Sequence, residues 1–372
     1  MTEPRSPETP GSPRLRAAVV GAAFAGTLHA ESLVATGQVD VVGVVSATEG
    51  SRTAFVDRFG GRGYPSIEEL LDDQELDVIS LALPNRLHAD VTVAAAERGV
   101  AVISEKPLAM NLAQADRMIA ACDAAGVPLL YAEQLCFAPR YVRVKELITS
   151  GSLGDIIQIN HWERHGGPHA PWFHDPLLSG GGVLLDMGCH GIEVARWLLD
   201  KEPVASVHAR LGIHKHTAGV VDDHSLATLR FGNGTLAVID SSWAAPGGID
   251  ERIEILGTKG SVSADLARGQ SLLVYSDVGV DYAAEKVEHE RGWFWVAHNE
   301  AQTWGWHGEF AHFVDVLKGR AEPIETGQDG RRVLEIVMAA YRSAAEGCEI
   351  PLPYHSDDPT PITPWLAATN KP

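Results

Sequence analysis

Cysteine is scarce in this sequence. Cys122, Cys136, Cys189 and Cys348 are scattered through 372 residues with no Cys-x-x-Cys pair, which argues against a disulfide framework or a thiolate zinc site and fits a reducing compartment. Long apolar runs are missing as well: the longest, at 15–25 and 39–45, fall well short of the ~20 residues that span a bilayer. Basic charge is in deficit. Thirty Lys and Arg stand against 49 Asp and Glu, a formal net charge of −19 with no basic cluster, so neither nucleic acid nor an anionic membrane is expected as a partner. The proline-rich segment 1–13 has no apolar core and is expected to be a flexible extension, not a secretory signal. A cytoplasmic protein is the expectation.

What is present is an ordinary globular composition, 45% hydrophobic and 21% charged, in a chain long enough for two domains. Over residues 15–130 short apolar runs (15–20, 39–45, 78–83, 100–103 and 127–131) alternate with helical stretches (24–35, 52–59, 67–71, 89–98 and 112–125). Strands without polar alternation, each followed by a helix, make a doubly wound parallel sheet covered on both faces. Beyond Pro139 the texture changes. Alternating runs at 226–231 and 235–240 flank Gly232-Asn233-Gly234, and a second pair at 252–256 and 261–264 flanks Gly257-Thr258-Lys259-Gly260, so hairpins and an antiparallel sheet are expected. The predicted class is α/β: a parallel-sheet domain over 14–138, an α+β domain over 139–354 closed by a helix at about 331–345, and a Pro-rich tail at 355–372.

The first strand runs into Gly21-Ala22-Ala23-Phe24-Ala25-Gly26 at the start of a helix. This is a degraded dinucleotide fingerprint, in which Ala23 takes the place of the glycine that lets backbone approach a pyrophosphate. A tight strand-to-helix turn without a ligand is the plainer alternative; the parallel-sheet context favours a Rossmann site. At the end of the second strand an NAD site usually carries an acid, and here stand Ser46, Ala47 and Thr48, followed by Arg52. Hydroxyls and a guanidinium permit a 2′-phosphate, which favours NADP slightly over NAD, while Glu49 keeps a ribose contact open and Arg52 also suits a solvated helix.

Ser104-Glu105-Lys106-Pro107 follows a strand of the same sheet, read as its fourth. The residue before proline is extended, so Lys106 is expected to project into the ligand crevice, with a pKa lowered by an oxidised nicotinamide. In the second half Gly180-Gly181-Gly182 leads to Asp186 and His190, four apart, which on one helix would put carboxylate and imidazole on a common face to serve one substrate hydroxyl. A surface lysine, an N-terminal helical Asp and a buried core His are the bland readings of the three taken singly.

Together with Leu83-Pro84-Asn85, His88 and His307-Gly308-Glu309-Phe310, these motifs resemble the Gfo/Idh/MocA oxidoreductase family from Leu15 to about Pro353. The resemblance implies a nicotinamide dehydrogenase of sugars or cyclitols, with Lys106 and His190 about the reacting carbon and Asp186 assisting. It also implies a large open, mainly antiparallel second sheet that builds homodimers or homotetramers. Gly21, Ala23, Phe24, Ala25, Gly26, Ser46, Thr48, Arg52, Leu83, Pro84, Asn85, His88, Glu105, Lys106, Pro107 and Gln134 are the cofactor-side candidates. Ala23 and Ser46 depart from the family pattern, the second in the manner of its NADP-using branch.

The stretch 161–174, rich in His and Trp, suits a carbohydrate platform, since sugar rings stack on indole and bond to donors around it. Trp172 and Arg164 are the substrate-side candidates, with His307 and Trp306 able to reach the same pocket; Trp293, Trp295 and Trp304 suit a core or interface. A metal held by His165, His169 and Asp186 is the minority alternative, because Gly and Pro break the ligand spacing, and no metal site is assigned. Two other functions fit these residues: a redox-neutral glycosidase using transient oxidation and elimination, and a non-catalytic dinucleotide-binding regulator.

Overall fold

A computed structural model describes residues 13–168, 170–246, 248–268, 272–276, 292–296 and 299–369, so the expected N-terminal extension lies almost wholly outside the described residues. Six parallel strands, β1 (Leu15–Val20), β2 (Val39–Val45), β3 (Arg62–Tyr64), β4 (Val78–Leu81), β5 (Ala101–Glu105) and β6 (Leu129–Ala132), form a sheet in the order β3-β2-β1-β4-β5-β6. The order reverses beside β1, which puts a ligand crevice at the strand carboxyl ends. Helices α1 (Phe24–Ala35), α2 (Glu49–Phe59), α3 (Ile67–Asp73), α4 (His88–Ala96) and α5 (Leu112–Ala125) make the crossovers. Thr48, Ser66 and Asn111 cap α2, α3 and α5 by accepting from backbone N–H groups of their first turns. The short edge strand β3 carries too little apolar sequence to be read in advance, so Lys106 follows the fifth strand and not the fourth.

The second half opens with α6 (Pro139–Thr149) and β7 (Ile156–Arg164), then α7 (Pro176–Ser179), α8 (Val183–Asp186) and α9 (Gly188–Leu198). Strands β8 (Val204–Gly212), β9 (His224–Phe231), β10 (Leu236–Ser242), β11 (Asp250–Gly257) and β12 (Ser261–Asp265) follow, with the pair β13 (Leu272–Ser276) and β14 (Gly292–Val296) apart from them. After α10 (Glu300–Thr303), α11 (Trp306–Leu317) and α12 (Gly327–Glu346) come β15 (Ile350–Pro351) and α13 (Thr363–Thr369). The seven-stranded sheet runs β12-β11-β7-β10-β9-β8-β15, antiparallel throughout except for β10 against β7. Both expected hairpins form, β9 with β10 and β11 with β12.

Helices α8, α9 and α12 pack on the inner face of this sheet, and α9 is buried on nearly every side. Among the described residues nothing covers the outer face, where Leu226, Leu236 and Leu256 are exposed and Arg252 stacks on Trp162 at 4.0 Å. Chain order and spatial neighbourhood part company after residue 299. Helix α11 packs on α1, while α12 reaches α5 and β6 of the first sheet. The closing helix begins at Gly327, earlier than expected, where Thr326 and Asp329 form a reciprocal capping box. Over 355–372, α13 docks on α12, and the Ile362 N–H donates to the Gly180 carbonyl at 3.1 Å. No helix among the described residues is long and apolar enough to cross a membrane.

Candidate active site

The two sheets meet at a cleft of about 220 Å³, open at its mouth. Its cofactor end is built by a turn that tolerates no side chain. Gly21 has φ +113°, and a methyl group there would lie 2.0 Å from the Ala82 carbonyl oxygen; one at Gly26 would lie 1.8 Å from the Gly21 oxygen. Helix α1 then starts with Ala23 at its cap, which offers no side-chain cap hydrogen bond, and carries no acid in its first turn. The positive end of that helix fits a pyrophosphate. Ala23, Phe24 and Ala25 line the cleft with Leu83, Pro84 and Asn85.

At the far end of that site Thr48 is the cap of α2, and Arg52 Nη1 donates to the Ser46 carbonyl at 2.7 Å. Ser46, Thr48 and Arg52 lie outside the enclosed part of the cleft. His88 does not face it either. It is fully buried, its ring bridging the carbonyls of Leu83 at 3.0 Å and Pro107 at 3.1 Å, so it braces the two loops that carry the site in place of touching a ligand. Asn85 lines the cleft and ties it to the second domain by donating to the Ser179 carbonyl at 2.6 Å. Glu105 is held by His29 at 2.9 Å and accepts from the Lys106 N–H at 3.0 Å. Burial raises its carboxyl, and His29, Lys106 and His190 more than reverse that, leaving it below the usual range.

Lys106 Nζ crosses the cleft, donating to the Asp186 carbonyl at 2.8 Å and to Asp186 Oδ1 at 3.0 Å. Asp186 Oδ2 also accepts from Trp243 Nε1 at 3.2 Å. Burial acts to lower the lysine, but Asp186, Cys189, Glu105 and Glu163 outweigh it and hold the ammonium well above its ordinary value. Asp186 is correspondingly held ionised, its burial being offset by Lys106, His165 and His190. A lone lysine in a loop is thus excluded by geometry.

Asp186 and His190 do not share one helix. Met187, at φ −107° and ψ −35°, interrupts the run between α8 and α9, and the two side chains reach the same cleft from separate helix ends. The loop before them is pinned by Asp222, which accepts from the N–H groups of Gly182 at 3.1 Å and Leu184 at 2.9 Å and from the Tyr341 hydroxyl at 2.6 Å. Gly182 is required at that approach, since a methyl group would sit 2.1 Å from the Asp222 carbonyl oxygen.

His190 Nδ1 lies 2.6 Å from Glu133 Oε1. Burial, with Lys106 adding to it, drives the imidazole down to about 3, while burial pushes Glu133 up to about 8 against the opposing pull of Lys106. The neutral imidazole is therefore the resting form. Glu133 was not legible as a site residue, although its neighbour Gln134, which lines the cleft, was. Glu163 was missed too: it lines the cleft and is 4% exposed.

Of the aromatic stretch, Trp172 and Phe173 line the cleft, stacked on one another at 3.8 Å, together with His165, Pro168 and Ala170. Arg164 is not brought there. Strand alternation turns Glu163 and His165 inward and Arg164 outward, where it pairs with Asp240, 2.9 Å from Nε to Oδ1, and lies 3.8 Å from Asp250. Trp306 lines the cleft, whereas His307, next along α11, does not; Pro107 faces His88 instead. Trp304 is core, and the Trp293 and Trp295 side chains and His169 lie outside the described residues.

Comparison with known proteins agrees with this architecture. Residues 15–133 match the model of an oxidoreductase family with an NAD-binding Rossmann fold, and residues 141–263 match the GFO/IDH/MocA C-terminal domain. A myo-inositol 2-dehydrogenase of Thermotoga maritima is 28% identical over 89% of this chain and 97% of its own. An NADP-dependent D-xylose 1-dehydrogenase of Haloarcula marismortui is 27% identical over 72% of each chain. The solved structure of GenD2 from gentamicin A biosynthesis, in complex with NAD, superposes with a TM-score of 0.87 at 32% identity, covering 94% of this chain and 99% of that one. With both domain models matched and the Lys106, Asp186 and His190 motifs converging on one cleft, the chain belongs to the Gfo/Idh/MocA family of oxidoreductases.

Proposed function

We propose that the protein reversibly oxidises a secondary alcohol of a sugar, glycoside or cyclitol, using NAD or NADP. The observation that carries this reading is the 3.0 Å pairing of Lys106 Nζ with Asp186 Oδ1 across the two domains, beside His190 and next to the glycine turn. The named activities of the sugar and inositol dehydrogenases among its relatives support the substrate class. Nicotinamide, when bound, supplies the hydride acceptor.

His190 is the base. An imidazolium is strongly disfavoured in this buried setting, so a proton arriving at Nε2 is accommodated by passing the Nδ1 proton to Glu133 Oε1, and no buried cation forms. Lys106, kept as an ammonium by Asp186, donates to the substrate oxygen and stabilises the negative charge that develops there. Trp172 and Phe173 offer an apolar wall to the sugar ring. Ser46, Thr48 and Arg52, with no carboxylate among them, favour NADP over NAD for the adenosine ribose. The exposed outer face of the second sheet is the surface on which a homodimer or homotetramer would form.

The test is a panel of sugars, glycosides and cyclitols assayed with each cofactor. Reduction of nicotinamide in proportion to product is expected. Product release from a glycoside without net cofactor change would replace this reading with the redox-neutral glycosidase, and the absence of any turnover with intact cofactor binding would replace it with a regulator.

A further inference from the structure

One carboxyl group in the cleft is left over by this chemistry. Glu105 is matched by His29 and the Lys106 N–H, and Asp186 by Lys106 and Trp243. Glu163, on the same cleft wall, is 4% exposed, yet its Oε2 has no hydrogen-bond partner among the described residues. Burying such a group uncompensated is costly, so the missing partner is expected to arrive with the ligand.

The surroundings say what kind of partner. Directly opposite on β11 stands Glu251, and His161, two residues back along β7, shares the inward face. Burial holds His161 below its usual value, so it stays neutral and adds no balancing charge. Burial, with Glu251 adding to it, pushes Glu163 up to about 7 in spite of His190, His161 and Lys106, as expected for a carboxyl short of positive charge. The Lys106 ammonium is already paired with Asp186. Trp172, Phe173, Pro168 and Met187 supply a wall of low polarity, where a charge-assisted bond is roughly twice as strong as a neutral one and an aromatic face attracts a cation.

We infer that the cleft is built for a sugar or cyclitol bearing an amine, with Glu163 as the anchor of its ammonium group. This rests on the dehydrogenase reading for the reacting carbon and adds the charge of the substrate.

The experiment compares matched probes on the cofactor-loaded enzyme: glucosamine, glucose and N-acetylglucosamine, and an aminodeoxyinositol against scyllo-inositol. Turnover is read by nicotinamide absorbance and affinity by calorimetry, for the native protein and for Glu163→Gln. The free amine is expected to exceed its hydroxyl and N-acetyl counterparts at least tenfold in kcat/KM or affinity, and Glu163→Gln is expected to shrink that ratio below about twofold. Ratios are taken within each enzyme, so a general loss of activity or stability in the variant cancels. Equal response to amine and hydroxyl probes in the native enzyme, or a preference that survives Glu163→Gln, would overturn the inference while leaving the dehydrogenase reading intact. If no probe reduces nicotinamide, the dehydrogenase reading falls and the calorimetric ratio alone still decides the role of Glu163.

Discussion

Glu133 Oε1 and His190 Nδ1 lie 2.6 Å apart at the floor of the cleft, the first side chain wholly buried and the second nearly so. Below about pH 8 Glu133 keeps its proton and donates it to Nδ1, so Nε2 carries a hydrogen toward the cleft. Above that pH Glu133 is ionised and accepts from Nδ1, which opens the Nε2 lone pair. Alcohol oxidation is therefore expected to accelerate as pH rises through about 8, and carbonyl reduction to slow over the same interval. Glu133→Gln should lower kcat roughly 10- to 100-fold, as for loss of a partner that orients a catalytic group, and abolish that inflection. An unchanged pH profile in the variant would remove Glu133 from the mechanism.

Lys106→Met keeps the volume of the side chain and deletes its charge. It leaves Asp186 buried without its cation and removes the donor to the substrate oxygen. A fall in kcat on the order of 10³-fold is expected, with the dinucleotide still binding through the 21–26 turn. Stopped-flow turnover and cofactor titration of the same preparation check both halves. Substantial activity in the variant would defeat the assignment.

These two groups mark the line between what the sequence disclosed and what it did not. Strands β1 and β2 have the bounds expected of them, because Val39–Val45 is dense in β-branched residues, with Asp40 alone among its side chains charged, and favours an extended strand. Lys106, Asp186 and His190 were legible because motif and fold context agree. Glu133 and Glu163 were not, since an acid beside an apolar run suggests a solvent-facing position, and only tertiary packing reveals that both are shut in. The alternation of His161, Glu163 and His165 along one strand face was the available signal. The break at Met187 escaped for a different reason: Gly188 allows a fresh helix start that no periodicity announces.

Gly21→Ala tests the cofactor turn. Residue 21 sits at φ +113°, and the added methyl meets the backbone of β4's end, which cannot yield. The strain alone is about 1–3 kcal/mol, so a lower melting temperature is expected together with weaker dinucleotide binding. Ala23→Gly, by contrast, removes a methyl lining the cleft and should leave melting nearly unchanged while binding the cofactor as well or better. Tight binding in Gly21→Ala would show that the phosphates lie elsewhere.

The outer face of the second sheet makes a separate claim. Leu236 and Leu256 flank Gln158 on the two neighbouring strands, so two exposed leucines stand on one row across β10, β7 and β11. Leu236→Asp with Leu256→Asp places two charges on that row and should shift a dimer or tetramer toward monomer in light-scattering measurements, since charge at the core of an interface is poorly tolerated. Both positions are solvent-facing in the single chain, so folding is expected to survive. An unchanged mass would move the interface off this sheet.

The proposed preference for NADP rests on Arg52 and is tested there. Its Nη1 is occupied by the Ser46 carbonyl, which fixes the guanidinium beside the end of β2, where Ser46 and Thr48 precede the exposed Glu49. If that group meets a 2′-phosphate, deleting it removes a charge-assisted contact of about 1.5–3 kcal/mol, or roughly 10- to 100-fold in affinity. Arg52→Ala should therefore reduce kcat/KM for NADP by that factor and for NAD by less than about threefold, because NAD has no phosphate there to lose. Arg52 also packs against Gly63, so a loss common to both cofactors is the signature of a disturbed α2 and would count against phosphate recognition. Steady-state kinetics with the two cofactors, run at equal saturation with substrate, separate a loss confined to NADP from one shared by both.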